Sequence, residues 1–249
     1  MQSMRIVLAL LILLGPLSVS ASEFDETKAL AEQGDADAQF ALGYNYYAGI
    51  GAQQDYKEAL KWYQASAAQG DQYAQSSLAK MYYDGEGAPQ DYKEALRWFK
   101  ASAVQGYASS QYYLAIMYQN GEGTPQDYEE AFKWFGASAE QGNDGAQNNL
   151  AVLYSNGEGT LQNDKEAMKW YRASAEQGYT QGQFNLGLMY VREEGAPQDY
   201  KSAHMWWSIA AASDHAAAAK NRDKVAGMMT PADISEAQQM ASDWLKAHP

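Results

Sequence analysis

Apolar and polar positions along this chain repeat on two scales. Within residues 71–83, Ala74, Leu78 and Tyr82 fall at i, i+4 and i+8 with Met81 beside them, a single apolar stripe at helical period. Residues 92–105 place Ala95, Trp98, Phe99, Ser102 and Ala103 on one face of a second helix. Gly85 and Gly87 stop the first helix by supplying positive φ, and Gly106 ends the second. Asp91 and Glu94 form a start signal of capping-box type, which Asp55/Glu58, Asp127/Glu130 and Asn163/Glu166 repeat. Asp199 keeps the cap, with Ser202 in place of the acid. Each cap is worth about 0.5–2 kcal/mol.

The second scale is 36 residues. Gly34, Gly70, Gly106, Gly142 and Gly178 keep that interval, as do Leu42, Leu78, Leu114, Leu150 and Leu186. Trp62, Trp98, Trp134, Trp170 and Trp206 keep it too. Five copies in phase predict one helix pair stacked five times. The recurring Trp and the aromatic after it are expected to be the buried knob of each second helix. Removal of one buried Trp costs ~3–5 kcal/mol, a large share of a total stability of about 5–15 kcal/mol.

The strings Ala-x-x-x-Leu-x-x-x-Tyr-x-x-Gly-x-Gly, Gln-Asp-Tyr-x-x-Ala-x-x-Trp-aromatic and Ala-x-Gln-Gly together resemble the Sel-one-like repeat, a relative of the tetratricopeptide repeat, over about residues 31–212. The resemblance implies a right-handed superhelix of helix pairs that binds other proteins. The C-terminal WWSIAAA and NRDKVAGMMTPADISEAQQMASDWLKAHP also resemble the closing segment of bacterial members. There Thr230, Pro231 and Asp233 read as the start of a last helix, with Met240 and Trp244 covering the final apolar face. The expected fold is all-α: a right-handed α/α solenoid of five repeats over residues 35–214. An N-terminal half-repeat helix over 22–34 and capping helices over 215–249 flank it.

Composition changes this picture in two respects. Arg5, the apolar run 6–14 and the small residues Val19, Ser20 and Ala21 have the pattern of a secretory signal peptide ending at residue 21. The run is too short to span a bilayer, which needs roughly 20 residues, so a periplasmic or secreted protein with no integral membrane segment is expected. The chain has no cysteine, so the disulfides that staple the repeats of cysteine-rich secreted relatives have no counterpart. Its net charge of −13 repels phosphate backbones and argues against a nucleic-acid partner.

Candidate chemistry is thin. Ser77 and Lys80 match Ser-x-x-Lys, but the Ser-Asp-Asn and Lys-Thr-Gly strings that accompany it in penicillin-recognising enzymes do not occur. No Gly-Lys-Ser/Thr follows the Gly-x-Gly turns, and Glu86, Glu122 and Glu158 stand between the glycines where a phosphate loop would want none. His204, His215 and His248 lack metal-ligand spacing. His204 occupies the row of Leu60, Leu96, Phe132 and Met168, where it reads as a polar swap in a less-buried last unit. The expectation is a protein with no catalytic residue, metal or cofactor.

A partner-specific site should lie where the repeats differ. On the first helices, the face opposite the core stripe carries Asp37, Phe40, Tyr44 and Tyr47, then Tyr73, Ser76, Lys80 and Tyr83. The later repeats give Ser109, Tyr112, Ile116 and Gln119, then Gly145, Asn148, Val152 and Ser155, then Gln181, Phe184, Leu188 and Val191. A face turned to water should be charged, and this one is largely aromatic and branched. By resemblance to tetratricopeptide-like solenoids, first helices line a concave face. Phe40, Tyr44, Tyr47, Tyr73, Lys80, Tyr83, Tyr112, Ile116, Val152, Phe184 and Leu188 are then candidates for a groove holding a protein or peptide. The opposing reading is that neighbouring first helices pack together and bury the row. Lys57, Lys61, Lys93, Arg97, Lys133 and Lys169 mark a solvated outer face on the second helices. The expected role is an adaptor or scaffold in the bacterial cell envelope. The alternatives are an inhibitor of an envelope-directed toxic enzyme and a secreted factor that engages host proteins.

Overall fold

The computed structural model describes residues 21–248, so the apolar run read as an export signal lies outside the described residues. Among them the chain forms thirteen helices and no strand. These are α1 (Ala21–Glu32), α2 (Ala36–Ala48), α3 (Tyr56–Ala68), α4 (Gln72–Asp84), α5 (Tyr92–Ala103), α6 (Ala108–Asn120) and α7 (Tyr128–Glu140). They continue as α8 (Asp144–Asn156), α9 (Asp164–Glu176), α10 (Thr180–Arg192), α11 (Tyr200–Ala212), α12 (Ala216–Ala226) and α13 (Pro231–Ala247). Two compact units divide them: Met1–Gln105 holds α1 to α5, and Gly106–Pro249 holds α6 to α13.

In the first unit each helix packs on the next in sequence. Ala38 and Leu42 are buried with Phe24 and Ala31 of α1, and Phe24 meets Tyr46 edge-on at 5.6 Å. Ala59, Tyr63, Ala67, Ala74, Leu78 and Met81 form the next core layer. Asp71 caps α4 by accepting from Ala74 N, and Gly85 ends it in the left-handed conformation. The second glycine of the turn answers a different need: a Cβ on Gly87 would stand 2.3 Å from Tyr56 O, so a carbonyl of the preceding second helix occupies that space. Gln90 Nε2 then donates to Tyr83 O at 2.7 Å, and Asp91 N to Tyr82 O at 2.9 Å, which accounts for Gln-Asp after the glycines.

The second unit repeats these devices, with cores around Phe135, Leu150 and Leu153, then Tyr171, Leu186, Trp206 and Ile209. Two polar ladders tie α7 and α9 to their own first helices, α6 and α8. Ser138 Oγ donates to Ala108 O at 2.7 Å and Ser174 Oγ to Asp144 O at 2.8 Å. Gln141 and Gln177 donate to the buried Gln111 and Gln147 at 2.7 Å. At the end of the unit α12 and α13 both pack on α11 and scarcely on each other.

Four sequence expectations change. Trp62, Trp98, Trp134 and Trp170 are half-buried, and the fully buried knob is the residue after each: Tyr63, Phe99, Phe135 and Tyr171. The Trp instead lies across the rim, its ring under the preceding Lys61, Arg97, Lys133 or Lys169 at 4.4–5.2 Å. The capping pairs work one way only. Asp91 accepts from Lys93 N and Glu94 N, but its own N–H is held by Tyr82 O, so Glu94 turns to Arg97. His204 is only 2 % exposed, buried like Met168 at 5 % in the repeat before it, while Leu60, Leu96 and Phe132 of the same row stay half-buried; α13 packs on the helix that carries it. Finally, Met240 is exposed, and α13 meets α11 through Ala241 and Trp244, whose ring is 6.0 Å from that of Trp206.

Candidate protein-interaction surface

The first unit carries six of the candidate residues. None is fully buried, and Tyr44 and Tyr73 are exposed at 46 % and 47 %. Phe40 of α2 joins the two helices of the row, with its ring 5.8 Å from Tyr63 beneath it and 6.2 Å from Tyr73 on α4. Tyr47 leans on Tyr56 at 5.3 Å, and Tyr83 on Tyr92 at 5.3 Å and Phe99 at 6.4 Å. Burial, followed by a hydrogen bond to Glu86, pushes the Tyr47 phenol up to about 12. The Glu86 Oε2 atom is buried and unpartnered, so this patch combines four tyrosines, one phenylalanine and an acidic acceptor. The sole basic side chain among the candidates, Lys80, is paired with Asp84.

In the second unit the row is more tightly packed. Tyr112 sits over Gly145, where a Cβ would come within 3.2 Å of its ring, and its own phenol is pushed up to about 12 by burial. Asn185 Nδ2 donates to Asn148 Oδ1 at 2.9 Å, a bond directly between α10 and α8. Tyr112 and Ile116 pack against the Phe135 core, Val152 against the Tyr171 core, and Phe184 and Leu188 against Trp207. Phe184 also stacks on His215 at 4.6 Å. Gly145 and Asn148, placed by helical period on the open face, are buried, and so is Ser76 in the first unit. Here packing between neighbouring first helices has taken over part of the row.

The spacing that nominated Ser77 and Lys80 does not bring them to one task. Lys80 pairs with Asp84, and Ser77 hydrogen-bonds the Tyr63 phenol. The outer face is solvated: Lys57, Lys61, Lys93, Arg97, Lys133 and Lys169 are all exposed. The sequence does not nominate the second-helix aromatics Tyr56 and Tyr92, which support the row from below at Tyr47 and Tyr83. Their signal was present, since Tyr follows the Asp cap in four of the five copies. No group of three or more His, Asp or Glu converges among the described residues, and no helix there is long and apolar enough to cross a membrane.

A family model described as Sel1 repeat matches residues 36–71, 72–107, 108–143, 145–179 and 180–215. Among solved structures, a protective antigen present in uropathogenic Escherichia coli strains, displaying an SLR fold, is 34 % identical with a TM-score of 0.80. The match covers 89 % of this chain and 48 % of that one, so this chain spans about half the length of that relative. A Sel1 repeat protein from Oxalobacter formigenes is 28 % identical with a TM-score of 0.73, over 84 % of this chain and 86 % of that one. No curated protein matches.

Proposed function

The chain belongs to the Sel1 repeat family, and from that premise we propose that it is a non-catalytic scaffold of the bacterial cell envelope that holds a protein or peptide against the aromatic row of α2 and α4. Proteins of this repeat class generally serve as protein-interaction scaffolds. One observation carries the choice of surface. Tyr44 and Tyr73 leave nearly half of their area in water while Phe40, Tyr47 and Tyr83 hold the surrounding row in place. Rigid aromatics of this kind supply contact area at little conformational cost, and such residues dominate binding energy when a partner covers them. The envelope assignment rests on the export-signal pattern of residues 1–21.

Site-specific photo-crosslinking in the producing cell tests this reading. A reactive residue at Tyr44 gives a discrete product, a matched residue at Lys57 on the outer face gives none, and Tyr73→Ala removes the product. Equal labelling at Tyr44 and Lys57 would place the partner elsewhere. The likeness to a protective antigen favours a second reading, a secreted factor that meets host proteins. Recovery of the protein from culture medium rather than periplasm would select it.

A further inference from the structure

At the end of the second unit, α12 and α13 diverge over α11 and leave a cleft of about 710 Å³, within the size range of small-ligand sites. Its residues come from all three helices: His204 and Ser208 from α11, Arg222 and Asp223 from α12, Ile234 and Leu245 among those from α13. His204 is the buried polar group of this cleft. Ser208 Oγ has one proton, and the 2.8 Å bond to His204 O takes it. The 3.3 Å contact between the same oxygen and His204 Nδ1 must then run from Nδ1–H to Oγ. This network assigns the proton to Nδ1 and leaves Nε2 as a bare acceptor. Nε2 makes no hydrogen bond among the described residues. Burial, and then the Arg222 charge, hold the ring below the ordinary imidazole range, so it stays neutral at pH 7.

The charges around it balance, although the molecule as a whole is strongly acidic. Arg222 and Lys246 line the cleft with Asp223, and Asp243 stands beside Lys246, so the cleft is locally neutral on a chain of net −13. Arg222 gives Nε and Nη2 to one oxygen of Asp223, at 2.9 and 2.8 Å, which leaves Nη1 uncommitted. Lys246 is 3.6 Å from Asp243 and well exposed. Ala226, Ala241, Ile234 and Leu245 supply apolar wall.

We propose that this cleft binds a small apolar monocarboxylate that carries an N–H or O–H donor beside its carboxylate, of the size of an N-acylated branched amino acid. The carboxylate lies on Arg222 and Lys246, the donor points at His204 Nε2, and the branched body lies on Ile234 and Leu245. Ser208 acts as a positioning residue, because it fixes which imidazole nitrogen accepts. The proposal is independent of the aromatic row and of any macromolecular partner.

The test uses the full chain, with N-acetyl-leucine as probe and N-acetyl-leucinamide as its uncharged twin. Proton–nitrogen correlation spectra of the histidine rings report His204 Nε2 directly. In the free protein Nε2 resonates as an unprotonated nitrogen, and it moves upfield in a saturable way with the acid. The amide twin binds at least about tenfold more weakly, since a charged pair is lost. Arg222→Gln weakens the acid by about tenfold. Ser208→Ala releases the Nδ1 proton and mixes the two tautomers in the free protein. The proposal falls if His204 does not respond up to about 10 mM, where a millimolar affinity would saturate. It falls equally if acid and amide bind alike, or if Arg222→Gln binds as the wild type does.

Discussion

Gln177 donates its side-chain amide to Gln147 Oε1 at 2.7 Å across thirty residues of sequence. Gln69 to Gln39, Gln105 to Gln75 and Gln141 to Gln111 make the same bond. In the fifth repeat the acceptor survives as Gln183, whose amide still donates to Ala175 O at 3.3 Å. The donor position is Ser213, too short to reach, and Gln183 Oε1 is left buried without a partner in a side chain 1 % exposed. A buried unsatisfied acceptor costs about 1–3 kcal/mol. Ser213→Gln should therefore stabilise the protein by about 1 kcal/mol and raise Tm by about 2–4 °C. Gln177→Ser, which recreates the defect one repeat earlier, should lower stability by a similar amount. Thermal unfolding of both variants checks this, and a Ser213→Gln protein no more stable than wild type would mean that a bound water already satisfies Gln183.

The small residue at one position of each first helix answers the aromatic of the following helix. Ala79, Ala115 and Ala151 stand at the position that Gly43 and Gly187 hold in the first and last repeats. A Cβ on Gly187 would come 2.5 Å from Trp207 Nε1, which donates to Phe184 O at 3.0 Å. Gly187→Ala should displace that bond and cost about 1–3 kcal/mol. Glu193 points to the opposite outcome. It ends α10 at φ 59 where Gly49, Gly85, Gly121 and Gly157 end the other first helices. Glu193→Gly should relieve that conformation and stabilise by about 0.5–1 kcal/mol. Urea unfolding of the two variants must give shifts of opposite sign.

The 36-residue interval made the five helix pairs legible because Leu42, Tyr46 and their equivalents serve the same contact in each copy. Helical period alone could not decide between Trp98 and Phe99. Adjacent bulky residues differ by about 100° around the helix, and the choice is made by Arg97 covering the Trp ring at 4.4 Å. The same limit applies to the candidate row. Gly145 and Asn148 point away from their own repeat's core, yet Tyr112 and Asn185 of neighbouring first helices meet them, a contact that no single helix encodes. His204 is buried like Met168 one repeat earlier, and α13, which packs on its helix, lies outside the periodic segment. The cleft beside it was therefore not visible in the sequence.

Tyr47 and Tyr112 give the fold an alkaline limit. Each phenol rises from 10.0 to about 12 in the folded chain, chiefly through burial. Tyr63 and Tyr171 move in the same direction. Between those values the unfolded chain has released protons that the folded chain still holds, so stability must fall as pH rises through this window and be unaffected by these groups below it. The urea midpoint should be lower at about pH 11 than at about pH 9, and Tyr112→Phe should flatten the decline. Equal midpoints at the two pH values would show that the phenols titrate alike in both states.

Tyr44 and Tyr73 separate a binding surface from a packing surface. Both are nearly half exposed, so replacing either by Ala removes only part of a buried side chain, and stability should fall by about 1 kcal/mol for each. Phe40 touches both the Tyr63 layer and Tyr73, so Phe40→Ala should cost about 3 kcal/mol or more. If the row holds a partner, loss of two central tyrosines should weaken it by more than tenfold, the level at which contact residues count as hot spots. The informative result is the combination. A Tyr44→Ala/Tyr73→Ala protein whose unfolding midpoint falls less than that of Phe40→Ala and that gives no crosslink at position 47 assigns the two rings to binding. A midpoint as low as that of Phe40→Ala with the crosslink retained would assign them to the packing of α2 on α4, and the partner would then have to be sought on another face.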